Sequence, residues 1–499
     1  MRSRKALLST TSALLLELVT VVCGFILPRL ILSRFGSAYN GITSSITQFL
    51  SYIALLKSGI GGVTRASLYK PLQENDTGRV SAIVNATEKF MQQIAKIFAV
   101  FILVFAAIYP VSVSDEFPWM FSFTLVLILG IGTFTQYYFG ITYQMLLQAD
   151  QRQYISSLVQ IATTILNTIV AAILIKLGGS IHIVKLGSAV VFALNPIFIN
   201  IYVRRKYAIN KKVSPDNTAI SQRWDSFAHQ IANFVHGNTD VVILTIFTSL
   251  SEVSVYTIYA MIVTGVRKLV NTLASGMEAA FGNMLAKQED KILHRNVGLL
   301  EFIIFYISTI CFSAAIVLIV SFVTVYTAGI EDVNYSRPLF GVLLCVAEMF
   351  WCIRIPYQSV VLAAGQFKET RNGAIAEPVI NIIISLVLVW KLGLTGVAIG
   401  TVVAMAFRTI QYAVYMSKKI VIRPIGTFIY KLLILVANVL LNCLVSFQVG
   451  DVCTSYGQWL ILGIERGLII LAITLVFMLV FERKNIKLFI SKLKMTMKR

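Results

Sequence analysis

Long apolar runs, interrupted by short polar segments, repeat along almost the whole chain. They fall at 8–32, 41–66, 94–114, 119–142, 153–175, 181–203, 227–248, 256–283, 298–325, 338–364, 372–390, 394–416, 429–450 and 457–481. A helix needs roughly 20 apolar residues to cross a hydrocarbon core. Hydrocarbon offers a free backbone no hydrogen-bond partner, so spanning segments are helices or closed barrel strands, and runs this long read as helices. The pattern predicts an all-α polytopic membrane protein with 14 transmembrane helices. The first run has the look of a signal peptide, but Glu17 interrupts its apolar core and it continues to Leu32, so a retained helix is expected.

The second run matches the eighth. Ser37, Tyr39, Thr47, Leu56, Ser58, Gly59, Leu68 and Lys70 meet Ser254, Tyr256, Thr264, Leu273, Ser275, Gly276, Leu285 and Lys287 without a gap. At nearly the same displacement Leu147, Ala149, Gln151, Ala189 and Phe192 meet Leu362, Ala364, Gln366, Ala404 and Phe407, and Lys176-Leu177-Gly178 meets Lys391-Leu392-Gly393. The match implies two six-helix halves of the same orientation, a known transporter plan, followed by an extra helix pair. The expected organisation is an N-terminal lobe 1–203, a basic cytoplasmic linker 204–226, a C-terminal lobe 227–417, helices 13 and 14 within 418–482, and a basic cytoplasmic tail 483–499.

Composition agrees: 57% of residues are hydrophobic and 13% charged, against about 25% charged in a soluble domain. The net charge of +20 raises the question of nucleic acid. The distribution answers it, because most Lys and Arg fall in the loops and tails of one side, while only Arg29, Arg34, Lys176, Lys185, Arg337 and Lys391 fall on the other. That is the positive-inside pattern, with both termini cytoplasmic. No nucleic-acid motif is present. The basic loop 204–226 reads as a topogenic, lipid-facing linker. The six cysteines form no ligand pattern. No Walker A, nucleophile-elbow, HExxH or CxxC pattern occurs, so neither ATP hydrolysis nor catalysis by the chain is expected.

Charges inside the runs carry the candidate chemistry, because in hydrocarbon each must face a cavity or a partner. Away from the ends of the runs, the cations are Lys57, Arg267, Lys268, Arg354, Arg408 and Arg466; the acids in the runs are Glu17, Asp240, Glu278, Glu301, Glu348, Glu377 and Glu465. Arg267, Asn271, Ser275 and Glu278 share one helix face, as do His229, Asn233, His236 and Asp240. Such stripes line either a water-filled cavity or an interhelical hydrogen-bond seam. Shared depth pairs Glu17 with Lys57 and Glu377 with Arg408, and Glu465 is adjacent to Arg466. Arg267 and Lys268 have no obvious neutraliser except Glu278, which makes them candidates for an anionic ligand group. Arg354, close to Trp351 and Tyr357, is a third, with aromatic rings suited to stacking on sugars. His236 can titrate near neutral pH, and Asp240 can hold a coupling cation.

Together with the two halves and trailing pair, three stretches carry a resemblance: Phe35-Gly36-Ser37-Ala38-Tyr39-Asn40-Gly41, Leu147-Gln148-Ala149-Asp150 and Asn238-Thr239-Asp240. The chain resembles the polysaccharide transporter (Wzx-like) branch of the MOP superfamily, which also holds the MATE exporters and MurJ flippases. The resemblance implies a flippase of the plasma membrane that moves a polyprenyl-pyrophosphate oligosaccharide by alternating access, for surface polysaccharide synthesis. Membrane lipids and polysaccharide polymerase machinery are the implied partners. It implies pyrophosphate contacts from Arg267 and from Lys57 or Arg65, joined by Arg29. Lys268, Arg354 and Asn271 complete the candidate cavity. It also implies an ion site for which Asp240, Asn381 and Thr401 are similar ligands, with His236 and Glu377 as further coupling candidates. No cofactor beyond H+ or Na+ is expected. A cation-coupled multidrug exporter of the same fold, and a membrane enzyme using polyprenyl-linked sugars, are the alternative readings.

Overall fold

The structure is a computed structural model; it describes residues 2–220, 239–274, 277–446, 453–483, 485, 486 and 488, without the side chains of 2–7, 54–59, 273, 279 and 367. The described residues are helical with no strand, and they divide into two compact units, Met1–Ser254 and Val255–Arg499.

The first unit contains α1 (Arg2–Phe35), α2 (Ser37–Ser51), α3 (Ala54–Glu74), α4 (Thr77–Ser112), α5 (Trp119–Phe139), α6 (Ile141–Ala149), α7 (Gln153–Lys176), α8 (Ile181–Lys206) and α9 (Thr239–Phe247). Helix α10 (Leu250–Ala274) crosses the boundary. The second unit continues with α11 (Met277–Ala286), α12 (Asp290–Tyr326), α13 (Pro338–Ala363), α14 (Phe367–Leu392), α15 (Leu394–Lys419), α16 (Gly426–Ser446) and α17 (Tyr456–Phe481). Among the described residues, twelve helices are long and apolar enough to cross a membrane. The chain is a multi-pass membrane protein, and large apolar side chains such as Leu177, Trp390 and Leu444 stand exposed on its helices, as hydrocarbon surroundings permit. Two of the fourteen expected spans are not among the twelve. The run 41–66 is split into α2 and α3 at Tyr52 and Ile53, and 227–238 lie outside the described residues.

The internal match has structural counterparts. In the first unit α4 packs on α5, α5 on α8, and α7 on α8; in the second, α12 packs on α13, α13 on α15, and α14 on α15. The repeated Lys-Leu-Gly ends a helix in both units. Gly178 (φ 81°) and Gly393 (φ 52°) turn the chain into the next helix through left-handed backbone that side-chain-bearing residues disfavour.

The first unit's core gathers Ile42, Ile46, Met91, Phe98 and Leu125. Its Phe-Gly-Ser-Ala-Tyr-Asn-Gly stretch is a docking seam. Tyr39 packs edge-on against Phe117 and Phe121, and Asn40 Nδ2 donates to Ser254 Oγ at 2.8 Å. Gly41 lies so close to the chain that a Cβ there would come within 1.8 Å of the Leu250 carbonyl oxygen. The Leu-Gln-Ala-Asp stretch is likewise structural. Gln148 accepts from Arg65 Nη1 at 2.7 Å, and Asp150 accepts from Arg152 Nε at 2.6 Å and from the Tyr207 hydroxyl.

The basic loop after α8 is not simply a lipid-facing linker. Asn85 Nδ2 donates to the carbonyls of Asn210 and Val213 at 3.1 and 2.9 Å. Ser67 Oγ donates to the Ala219 carbonyl at 2.7 Å, Lys211 pairs with Glu88 at 2.8 Å, and Ile220 is buried. Residues 207–220 therefore form a strap held to α3 and α4; 221–226 lie outside the described residues.

In the second unit the trailing helices α16 and α17 pack on α12. Asn442 Nδ2 ties them, with Ser313 Oγ at 3.2 Å, Asn438 Oδ1 at 3.0 Å and Thr474 Oγ1 at 3.3 Å as acceptors within reach of its two N–H groups.

Candidate functional site

Three arginines and two glutamates form a chain of charge through α10, α13, α14 and α15. Arg267 on α10 donates through Nη1 to both carboxylate oxygens of Glu348 on α13, each at 3.1 Å. One turn further along α13, the Trp351 ring lies between two guanidiniums, 5.1 Å from Arg267 Cζ and 5.6 Å from Arg354 Cζ. Both fall within the range in which a cation is drawn to an aromatic face, about 6 Å. Arg354 reaches Glu377 on α14 at 2.7 Å, and Arg408 on α15 approaches the other oxygen of Glu377 at 3.6 Å. Arg408 also donates to the Thr370 carbonyl at 3.0 Å and the Tyr412 hydroxyl at 2.7 Å.

Helical spacing explains the assembly. Glu348, Trp351 and Arg354 recur every third position, so they rise along one side of α13. The small residues of α14 and α15 bring the next layer close: a Cβ on Gly400 would meet Ser385 Oγ at 2.3 Å. Charge then decides what the chain can do. Two carboxylates face three guanidiniums, which leaves a net positive charge. Arg354 and Arg408 are enclosed at 7% and 5% side-chain exposure, whereas Arg267 retains 29%. Arg267 uses Nη1 on Glu348, and its Nε and Nη2 bond no described residue. The surplus charge is thus accessible at the Arg267 end, where Lys268 is also exposed.

The other candidates are placed as follows. Arg267 has a neutraliser after all, in Glu348 rather than Glu278, which is exposed on α11; the two meet only through the packing of α10 on α13, which sequence distance hides. Arg354 sits inside the buried network. Asn271 is exposed one turn from Arg267. Arg65 is on α3, bonded to Gln148, and Arg29 is half-buried on α1. The side chain of Lys57 and the whole of His236 lie outside the described residues. Among the ion candidates, Asn381 and Thr401 come together: Asn381 Oδ1 accepts from Ser385 Oγ at 3.1 Å and Thr401 Oγ1 at 3.4 Å, one helical turn from Glu377. Asp240 is buried on α9, in the first unit.

The pairing of Glu377 with Arg408 follows the shared depth read from the chain, and Glu465 lies 3.9 Å from Arg466. A second network was not legible. Glu301, fully buried on α12, accepts from Arg423 Nη1 at 3.0 Å and from Lys431 Nζ at 2.7 Å. By sequence position both cations fall among the basic residues around the loop between the runs 394–416 and 429–450. The available signal was a single carboxylate far inside a 37-residue helix, which demands a cation from somewhere.

No protein-family model matches the chain, and no curated protein matches it. Solved structures do. The lipid II flippase MurJ in an inward closed conformation superposes with a TM-score of 0.74 at 13% identity, over 96% of this chain and 100% of that one. An inward-facing multidrug resistance MATE transporter of the MOP superfamily gives 0.62 at 16% identity, over 80% of this chain and 95% of that one. A eukaryotic MATE transporter gives 0.59 at 13% identity, over 85% and 97%. The chain has the fold of these structures.

Proposed function

We propose that the protein is a flippase that moves a lipid-linked oligosaccharide across the plasma membrane by alternating access, for surface polysaccharide synthesis. The observation that carries this reading is coverage. The flippase structure matches 96% of the chain, trailing helices included, whereas the two MATE structures match 80% and 85%. The charge chain supports an anionic cargo. Its surplus positive charge is open at Arg267, beside exposed Lys268, and a guanidinium with free donors suits a pyrophosphate. In this reading Arg354, Glu377 and Arg408 hold α13, α14 and α15 in register behind that contact, and Asn271 flanks it. Lys57, Arg65 and Arg29 are the candidate contacts of the first unit. Coupling to H+ or Na+ would use Glu377, Asn381 and Thr401, with Asp240 and His236 as the candidates of the preceding span. Buried Asp240 equally suits cation-coupled drug export, the one alternative that the same fold supports.

The test is a lipid extract from cells lacking the protein. A polyprenyl-pyrophosphate oligosaccharide accumulating on the cytoplasmic leaflet is the expected result; intact surface glycan with no accumulation would overturn the flippase reading. Arg267→Ala should abolish export at unchanged membrane abundance. Export surviving at normal expression would remove Arg267 from the site.

A further inference from the structure

The first unit holds a polar cavity of its own. It has a volume of about 350 Å³ and lies among α1, α2, α5, α7 and α8. Its wall combines Gln136 and Thr133 of α5, Gln160, Thr163 and Asn167 of α7, and Lys185, Ser188 and Asn195 of α8, with the aromatic ring of Phe192. Each helix supplies its polar residues at three- and four-residue steps, so three consecutive helices turn polar faces to one space. Sequence position placed Lys185 among the outer-side charges; the structure puts it one turn inside α8, on the cavity wall.

Two features mark this as a built site. Among the described residues, Lys185 makes no ion pair and no Asp or Glu lines the cavity. Asn167 Oδ1, Ser188 Oγ and Asn195 Oδ1 are buried without a hydrogen-bond partner, on side chains only 5%, 9% and 7% exposed. Buried polar atoms are nearly always bonded, and each orphan calls for a partner the protein does not supply. Hydroxyl and amide groups in such number, beside one aromatic face, suit a polyhydroxylated ring. A single ammonium, with no guanidinium fork, suits one carboxylate rather than a multivalent phosphate.

We propose that this cavity binds a sugar acid: a pyranose-sized, hydroxyl-bearing ring with one carboxylate, the carboxylate on Lys185 and the hydroxyls on Asn167, Ser188 and Asn195. The carboxylate neutralises a cation that has no counter-ion among the described residues, and the hydroxyls meet the amide and hydroxyl side chains of the wall, where rotation of Asn167, Ser188 or Asn195 would bring an orphaned oxygen to the ligand. The inference does not depend on the flippase reading, since it concerns binding to one unit and not transport.

Isothermal titration of the purified full-length protein in detergent tests it, with glucuronate, glucose and acetate as probes. Glucuronate should bind more tightly than either of the others. Lys185→Met should weaken glucuronate by about tenfold to a hundredfold, the loss of a charge-assisted bond, and leave glucose unchanged. Arg267→Ala should leave glucuronate binding intact, which separates this cavity from the charge chain of the second unit. Acetate binding as tightly as glucuronate would reduce the site to a small-anion pocket and overturn the sugar assignment. Wild-type protein that binds no glucuronate, or a Lys185→Met protein of normal elution profile that binds it equally, would overturn the proposal outright.

Discussion

In the second unit Arg354, Arg408, Arg423 and Lys431 each sit against a carboxylate, and Glu377 and Glu301 each serve two cations. In the first unit Lys185 lies among amides and hydroxyls, with no carboxylate on the cavity wall among the described residues. The helix packing is parallel in the two units, yet membrane charge is handled in opposite ways. Internally paired charge acts as a fastener: it joins helices whose apolar faces would pack on lipid equally well. Unpaired charge in a polar cavity is costly to keep, and a ligand is what repays that cost.

The sharpest way to break this contrast is to remove a shared carboxylate. Glu301→Ala leaves Arg423 and Lys431 enclosed without a counter-ion and should cost about 3–5 kcal/mol, seen as loss of monodisperse protein in size-exclusion chromatography. A well-folded Glu301→Ala protein would show that the network is not a fastener. Next in size is the docking seam of the first unit. Gly41→Ala forces a methyl group into the Leu250 carbonyl and should destabilise by roughly 1–3 kcal/mol, read as a lowered melting temperature. Lys185→Met should reverse the sign. Replacing a lone cation with an apolar side chain of similar length should leave stability unchanged or raise it by about 1 kcal/mol; a clear loss would mean that Lys185 is a fastener too.

The smallest effect belongs to the strap. Thr218 donates to Asp216 Oδ1 through its hydroxyl and its amide, and with the Ala219 amide these bonds hold the Asp216 carboxyl below its ordinary pKa. A depressed carboxylate contributes stability that is complete above the ordinary value, about 4. That contribution is lost as pH falls through the lower value in the folded protein. Because Asp216 is only half-buried, at the surface of the strap, the loss should be slight. Comparing melting at neutral and acid pH, Asp216→Asn should shrink the acid-induced drop only a little; an unchanged drop would exclude the strap from the acid response.

The order of apolar runs by itself determined the helical class, because a bilayer allows little else for such stretches. The repeated Lys-Leu-Gly marked equivalent positions in the two halves; that each ends a helix at a glycine of positive φ came from the structure. Adjacent-helix pairing was legible for Glu377 and Arg408, where depth and neighbourhood coincide. Pairings between distant segments were not: Arg267 with Glu348, and Glu301 with Arg423 and Lys431, depend on which helix faces which. The cavity around Lys185 stayed hidden for the same reason. A polar stripe in one span reads equally as a hydrogen-bond seam, and only the packing of α5, α7 and α8 reveals that three stripes enclose a common space. Hydrophobic periodicity specifies what each segment must be in a membrane; the partner of each buried charge is set by distances between helices, which no single segment encodes.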